Sequence, residues 1–232
     1  MIPLVFLPAM PCDGRMYQAQ MTALSDLVTP QVMILAEDSV AKSAKRVLNS
    51  LDGKFVLAGT AYGGCLALEI AVRAPTRIAG LWLMNCSPGP HPDHASVRRT
   101  SARIRRGEHQ AVLQEFADTA IPDSDPISRA TFVQMGLDVG ADIFARQSDA
   151  ALTRQGRWLD LPSLNIPTLL VWGAADKFVP TDTAARMARA LPDVQVEILD
   201  GCGHFPTLER PIETAKIARH WLQSRFCMNG QQ

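Results

Sequence analysis

No apolar stretch in this chain of 232 residues approaches the roughly 20 needed to cross a bilayer, so no membrane span is expected. Charge of one sign is not in excess: 23 Lys and Arg stand against 23 Asp and Glu. No global field therefore favours nucleic acid or membrane as a partner. Cysteine is sparse. Cys12, Cys65, Cys86, Cys202 and Cys227 are odd in number and lack any C-x-x-C spacing, which argues against a disulfide framework or a zinc site and fits a reducing cytoplasm. His91 and His94 lie three apart, but no carboxylate or cysteine cluster completes a ligand set, so no metal is expected. Repeats and low-complexity segments are absent. Residues 1–7 are apolar but few, with no basic segment before them and Pro8 and Pro11 after; they read as a strand rather than a signal peptide.

What is present is an ordinary globular composition, 47% hydrophobic and 20% charged, in a length that suits one sizeable domain with a small insertion. Short apolar runs at 4–7, 32–35, 55–58, 78–85, 168–172 and 195–199 read as buried parallel strands. Helical patterns follow at 14–24, 40–51, 62–74, 182–190 and 212–225, with Pro211 suited to the first turn of the last one. This alternation predicts an α/β fold: a mostly parallel sheet of about six strands with helices on both faces. It breaks once. Residues 88–162 hold helical patterns near 93–106, 108–119, 128–136 and 141–150, bracketed by prolines. They are expected to form a helical cap over the C-terminal ends of the strands, where ligands bind in open α/β sheets. Residues 1–87 and 163–232 then make the core. Phe132, Met135, Phe144 and Trp158 are expected to be the core of the cap.

Chemistry concentrates in three loops. Gly59-Thr60-Ala61-Tyr62-Gly63 is a glycine-framed turn between a strand and a helix, tight enough that side chains at its ends would clash. Its central residue, Ala61, should stand over the end of the sheet. Asp176 lies just past the strand at 168–172, and His204 in the loop after the next strand. Each alone has an ordinary explanation, a turn carboxylate or a loop histidine bonded to backbone. Together, at one sheet edge and in this chain order, they are an acid that orients a base beside a turn made to present a nucleophile.

These segments resemble the α/β-hydrolase superfamily, specifically its small capped carboxylesterase-like branch, with likeness to pimeloyl-ACP methyl ester esterases, acyl-homoserine lactonases and meta-cleavage-product hydrolases. The matching stretches are 5–17, 55–75, 169–180 and 198–211. The resemblance implies a nucleophile elbow, G-x-S-x-G, with partners in the order Ser, Asp/Glu, His. Here alanine occupies the serine position. It also implies an oxyanion hole formed by the backbone N–H groups of Met10 and Tyr62, although Pro8-Ala9 replaces the usual His-Gly dipeptide in the first loop. The extra antiparallel strands often found before the first parallel strand are missing.

The implied activity is hydrolysis of a small ester, thioester or lactone through an acyl-enzyme, with no cofactor. A C–C or amide bond hydrolase on the same scaffold is the alternative within enzymes. Phe178, Val179 and Phe205 flank Asp176 and His204 and are candidate substrate contacts. Three explanations of Ala61 compete: serine-to-alanine substitution in an active parent, a natural ligand-binding pseudoenzyme, and a relocated nucleophile. Cys12 and Cys65 are near in sequence, but neither occupies the tip of the turn. The retained Asp176, His204 and first loop favour substitution. At helical spacing Arg99, Arg103 and Arg106 share a face. Docking of an acidic carrier protein is weighed there against a solvated face, which is favoured.

Overall fold

Side chains alternate across a strand, and here both faces of each inner strand are covered. Leu4 and Phe6 of β1 (Ile2–Leu7), Val56 and Ala58 of β3 (Phe55–Thr60), Trp82 and Met84 of β4 (Ile78–Met84), and Leu169 and Val171 of β5 (Thr168–Gly173) join one apolar layer. Their neighbours Val5, Leu7, Phe55, Leu57, Leu81, Leu83, Leu170 and Trp172 join the other. This explains why the strands read as unbroken apolar runs. The structure, a computed structural model, describes residues 1–227, excluding the Cys227 side chain. Its six strands are all parallel, in the order β2-β1-β3-β4-β5-β6, with β2 at Val28–Val32 and β6 at Val194–Leu199.

Helices α1 (Gln18–Leu24) and α10 (Pro211–Leu222) bury Leu24, Ala218 and Trp221 in the first layer. Helices α2 (Val40–Asn49), α3 (Tyr62–Arg73) and α8 (Thr181–Ala190) bury Val47, Ile70 and Met187 in the second. Pro211 is the first residue of α10, where its missing N–H is not needed. No helix among the described residues is long and apolar enough to cross a membrane. Cys12, Cys65, Cys86 and Cys202 are free thiols.

Between β4 and β5 the chain forms α4 (His94–Arg103), α5 (His109–Ala120), α6 (Pro126–Val139) and α7 (Ala141–Ala151). Phe132, Met135 and Phe144 are fully buried there, while Trp158 lies outside the helices with the Arg186 guanidinium 3.8 Å from its ring centroid. The two ends of this insert are tied together. Arg157 N–H donates to Pro88 O at 2.6 Å, and Arg154 Nη2 donates to Ser87 O and Gly89 O at 3.0 and 2.7 Å. Arg157 Nε also reaches the buried Glu69 of α3 at 2.8 Å, so the insert is fastened to the helix that follows Ala61.

Three elements differ from the sequence expectation. The second strand is Val28–Val32 rather than 32–35. Its partners run from Ile2↔Val28 to Phe6↔Val32, and Pro30 is tolerated because an edge strand has a neighbour on one side only. Leu35, in the apolar run that suggested a strand, is buried from a loop. The first helix starts with a 3₁₀ turn, Gly14–Tyr17, capped by Asp13. The arginine-rich helix ends at Arg103, and Gly107, at φ 88°, turns the chain before α5. Arg106 therefore lies beyond α4. Arg103 pairs with Glu108 and Glu115 at 2.9 and 2.6 Å, Arg106 with Glu108 at 3.0 Å, and Arg99 sits 4.0 Å from Asp93. These charges are answered within the insert itself.

Candidate active site

Only Ala61 separates the last residue of β3 from the first of α3. A strand can enter a helix without a loop only through an unusual backbone, and Ala61 takes φ 52°, ψ −115°. A residue with a Cβ rarely adopts such a conformation. The glycines on either side permit it. A Cβ on Gly63 would lie 1.9 Å from Leu7 O, and one on Gly59 would lie 2.4 Å from Gly63 O. The turn is held from outside by Ala61 N–H, which donates to Met84 O at 2.9 Å.

Two backbone N–H groups are the expected oxyanion donors. Tyr62 is the first residue of α3, so its N–H has no acceptor within the helix. Met10 lies in the loop after β1. Among the described residues neither N–H has a protein acceptor. The loop and the turn are joined by Tyr17, whose hydroxyl is 2.9 Å from both Leu7 O and Thr60 Oγ1. A carbonyl can only accept, so Tyr17 donates to Leu7 and accepts from Thr60. Burial pushes the Tyr17 hydroxyl well above its ordinary pKa, which keeps that donor in place. Met10 also meets the insert: Ser148 Oγ of α7 is 3.6 Å from its sulfur.

Asp176 follows β5 and His204 follows β6, and the structure brings them together with His204 Nδ1 2.8 Å from Asp176 Oδ2. Both are buried. Asp176 Oδ1 accepts the Phe178 N–H at 2.8 Å, and Oδ2 also accepts Asn85 Nδ2 at 2.5 Å. Burial works to raise the Asp176 carboxyl. The His204 ring, the Asn85 amide and the Phe178 N–H outweigh it and hold the pKa below its ordinary value. An ionised Asp176 makes Nδ1 of His204 the donor and leaves Nε2 free to take a proton.

Nothing in the sequence marks Asn85 beyond its place at the polar end of an apolar run. It stands just past β4 at φ 44°, a conformation asparagine tolerates better than most residues. Its Oδ1 accepts Gly173 N–H at 3.2 Å while its Nδ2 holds Asp176, so it links the ends of β4 and β5. Met10, Ala61, Asn85, Asp176 and His204 thus follow the C-terminal ends of β1, β3, β4, β5 and β6. In a parallel sheet those ends form one edge.

Of the three predicted substrate contacts, two lie against His204. Phe178 and Phe205 meet its ring edge-on with centroids 5.1 and 5.0 Å away. Each reaches the insert: Phe178 approaches Phe116 at 6.1 Å, and Phe205 stacks on Phe132 at 5.0 Å. Phe178 is partly open to solvent, whereas Phe205 is buried. Val179 packs instead on the apolar layer of α3 and α8, and its carbonyl accepts the Trp172 indole N–H at 2.8 Å.

The sequence profile of the alpha/beta hydrolase family matches residues 4–217. The chain belongs to that family. It is 29% identical over 187 residues to a monoacylglycerol lipase of Xenopus laevis, which covers 73% of this chain but 55% of the lipase. The chain therefore spans about half the length of that relative. It is 41% identical over 203 residues to a 2-hydroxy-6-oxononadienedioate/2-hydroxy-6-oxononatrienedioate hydrolase of a Pseudomonas species, covering 83% of this chain and 72% of the hydrolase. Among solved structures, a thermophilic esterase from Thermogutta terrifontis superimposes with a TM-score of 0.88 and 25% identity, over 97% of this chain and 90% of the esterase. An enol-lactonase from Burkholderia xenovorans, 16% identical with a TM-score of 0.84 over 96% of this chain and 92% of its own, shares the fold.

Proposed function

We propose that this site is that of a carboxylic ester hydrolase, acting on a small ester, thioester or lactone, in which alanine stands where an active parent has serine. One observation carries the reading. The buried Asp176–His204 pair, 2.8 Å apart, sits at the same sheet edge as a turn that still holds its residue at φ 52°. With a serine at position 61, His204 Nε2 takes the hydroxyl proton as the oxygen attacks the ester carbonyl. The oxyanion meets the N–H groups of Met10 and Tyr62, a pair of donors each worth roughly 3–4 kcal/mol at a comparable site. Collapse expels the alcohol with the proton from His204 and leaves an acyl-enzyme. Water, deprotonated by the same histidine, releases the acid and restores the serine. The helical insert acts as the cap that shapes the pocket, with Phe178 and Phe205 lining it.

A second reading is favoured by Ala61 itself. A methyl group cannot attack a carbonyl, so the chain as it stands would be a ligand-binding homologue. Carbon–carbon hydrolysis is a third, supported by the likeness to the Pseudomonas hydrolase. The test is Ala61→Ser, assayed on p-nitrophenyl esters, lactones and a 2-hydroxy-6-oxodienoate. Ester or lactone turnover that the chain with Ala61 lacks supports the hydrolase reading. Turnover of the dienoate alone moves it to carbon–carbon cleavage. A folded variant with no turnover replaces it with the ligand-binding reading.

A further inference from the structure

Glu209 has no part in the chemistry above, yet it is a carboxylate with only 6% of its surface exposed. It closes α9 (Pro206–Glu209), the short turn directly after His204. Its Oε2 accepts the Gly203 N–H at 2.6 Å and its Oε1 accepts the Phe205 N–H at 2.7 Å. The amide between them, that of His204, donates to Ala120 O at 2.8 Å. Three successive N–H groups around the base thus have fixed acceptors. Among the described residues no cation pairs with the Glu209 carboxylate. Arg210 takes the Glu209 and Gly201 carbonyls instead. Burial raises the Glu209 carboxyl, and the two N–H bonds work against that rise.

Burying a carboxylate without a partner cation is costly unless hydrogen bonds repay it. Here the Gly203 and Phe205 N–H groups supply those bonds. A carboxylate can accept at two oxygens at once, which no neutral side chain of the same size can do, since the amide of glutamine accepts at one end and donates at the other. Gly203 and Phe205 straddle His204, so the carboxylate grips the backbone of the base from both sides. The packing leaves little slack: a Cβ on Gly203 would lie 2.3 Å from Ala120 O and 3.1 Å from Glu209 Oε2.

We infer that Glu209 is a positioning residue for His204: by holding the N–H groups on both sides of the base, it sets the backbone from which the ring reaches Asp176. The inference rests on the reading of His204 and Asp176 as the base and acid of the hydrolase. Glu209→Gln keeps the size of the side chain but turns an NH₂ toward one of the two N–H groups. In the chain as it stands, proton NMR reads the low-field resonance of the His204–Asp176 hydrogen bond, which needs no turnover. Glu209→Gln should shift or broaden it. In the Ala61→Ser background, kcat should fall ten- to a hundredfold with KM unchanged, since a small misplacement of a catalytic group costs up to about 10²-fold. Glu209→Asp, which keeps the carboxylate, should recover part of that loss.

A folded Glu209→Gln chain with an unchanged resonance and an unchanged kcat, only melting lower, would make Glu209 an ordinary structural carboxylate and overturn the inference. If Ala61→Ser proves inactive, the hydrolase reading fails while the NMR result still decides what Glu209 does.

Discussion

Replacing Ala61 with glycine probes the turn itself. A residue with a Cβ in a sparsely populated region costs about 1–3 kcal/mol, and Ala61 is held at φ 52°, ψ −115°. Glycine removes that strain. Against this, the unfolded chain gains freedom worth about 0.4–1 kcal/mol, and a half-buried methyl is lost, at roughly half of the ~0.8 kcal/mol for full burial. The balance is stabilisation of about 1 kcal/mol, which for a chain of this length raises the melting temperature by about 2–4 °C. Urea titration with an unchanged m-value measures it.

Asn85 supplies the control, because it too has positive φ, at 44°. Asn85→Gly relieves the backbone but takes a donor from the buried Asp176, and a hydrogen bond to a charged group is worth about 1.5–3 kcal/mol. It also leaves the Gly173 N–H without its acceptor, about 0.5–1.5 kcal/mol more, and frees the unfolded chain by about 0.4–1 kcal/mol. Against about 1–3 kcal/mol of relieved strain, the variant should be destabilised by about 2 kcal/mol. Two positive-φ residues at one sheet edge are thus expected to respond with opposite signs. Destabilisation of Ala61→Gly by more than about 1 kcal/mol, or stabilisation of Asn85→Gly, would refute the strain argument.

Two further outcomes follow from the same contacts. The pKa of Asp176 is depressed in the folded chain below its ordinary 3.8, so its stabilising contribution is complete above the unfolded value and disappears as pH falls through the folded one. Asp176→Asn should therefore be less stable than the parent at pH 7, with the gap closing in acid; a gap of equal size in urea titrations at both ends would contradict this. Tyr17→Phe strips a buried carbonyl and a buried hydroxyl of a shared partner and should cost about 1–3 kcal/mol on urea unfolding, whereas an unchanged midpoint would show that Tyr17 does not tie the first loop to the turn.

Much of the fold was legible because the inner strands are buried on both faces and their apolar runs end at glycines, prolines or polar residues. β1, β3, β4 and β5 lie where those runs do, and so does β6, although it is an edge strand whose residues are mostly only partly buried. β2 was misplaced because an edge strand needs no continuous apolar run, and the run beside it, ending in Leu35, serves the core from a loop. The charge pattern at 93–106 outlasts the helix, which ends at Arg103 ahead of the turn at Gly107. Asp176 and His204 were legible from their loops and chain order. Asn85 and Tyr17 were not, because their roles exist only through contacts with residues 91 and 43 positions away. Nothing local to either residue announces such a partner. Val179 is near Asp176 in sequence and packs against the layer that also holds Tyr62.

On the proposed reading, the turn at Ala61, the Met10 and Tyr62 donors and the Asp176–His204 pair form a preorganised site that lacks only a hydroxyl. The most direct measurement is covalent labelling of Ala61→Ser by a fluorophosphonate probe, with the adduct located by mass spectrometry. This reports the activated nucleophile whether or not any test ester fits the pocket, and loss of the nucleophile in a comparable triad costs roughly 10⁶ in turnover. Ala61→Ser should label rapidly at position 61, the chain with Ala61 not at all, and Ala61→Ser with His204→Gln only slightly. A folded Ala61→Ser chain that stays unlabelled, or that labels equally well without His204, would contradict that reading.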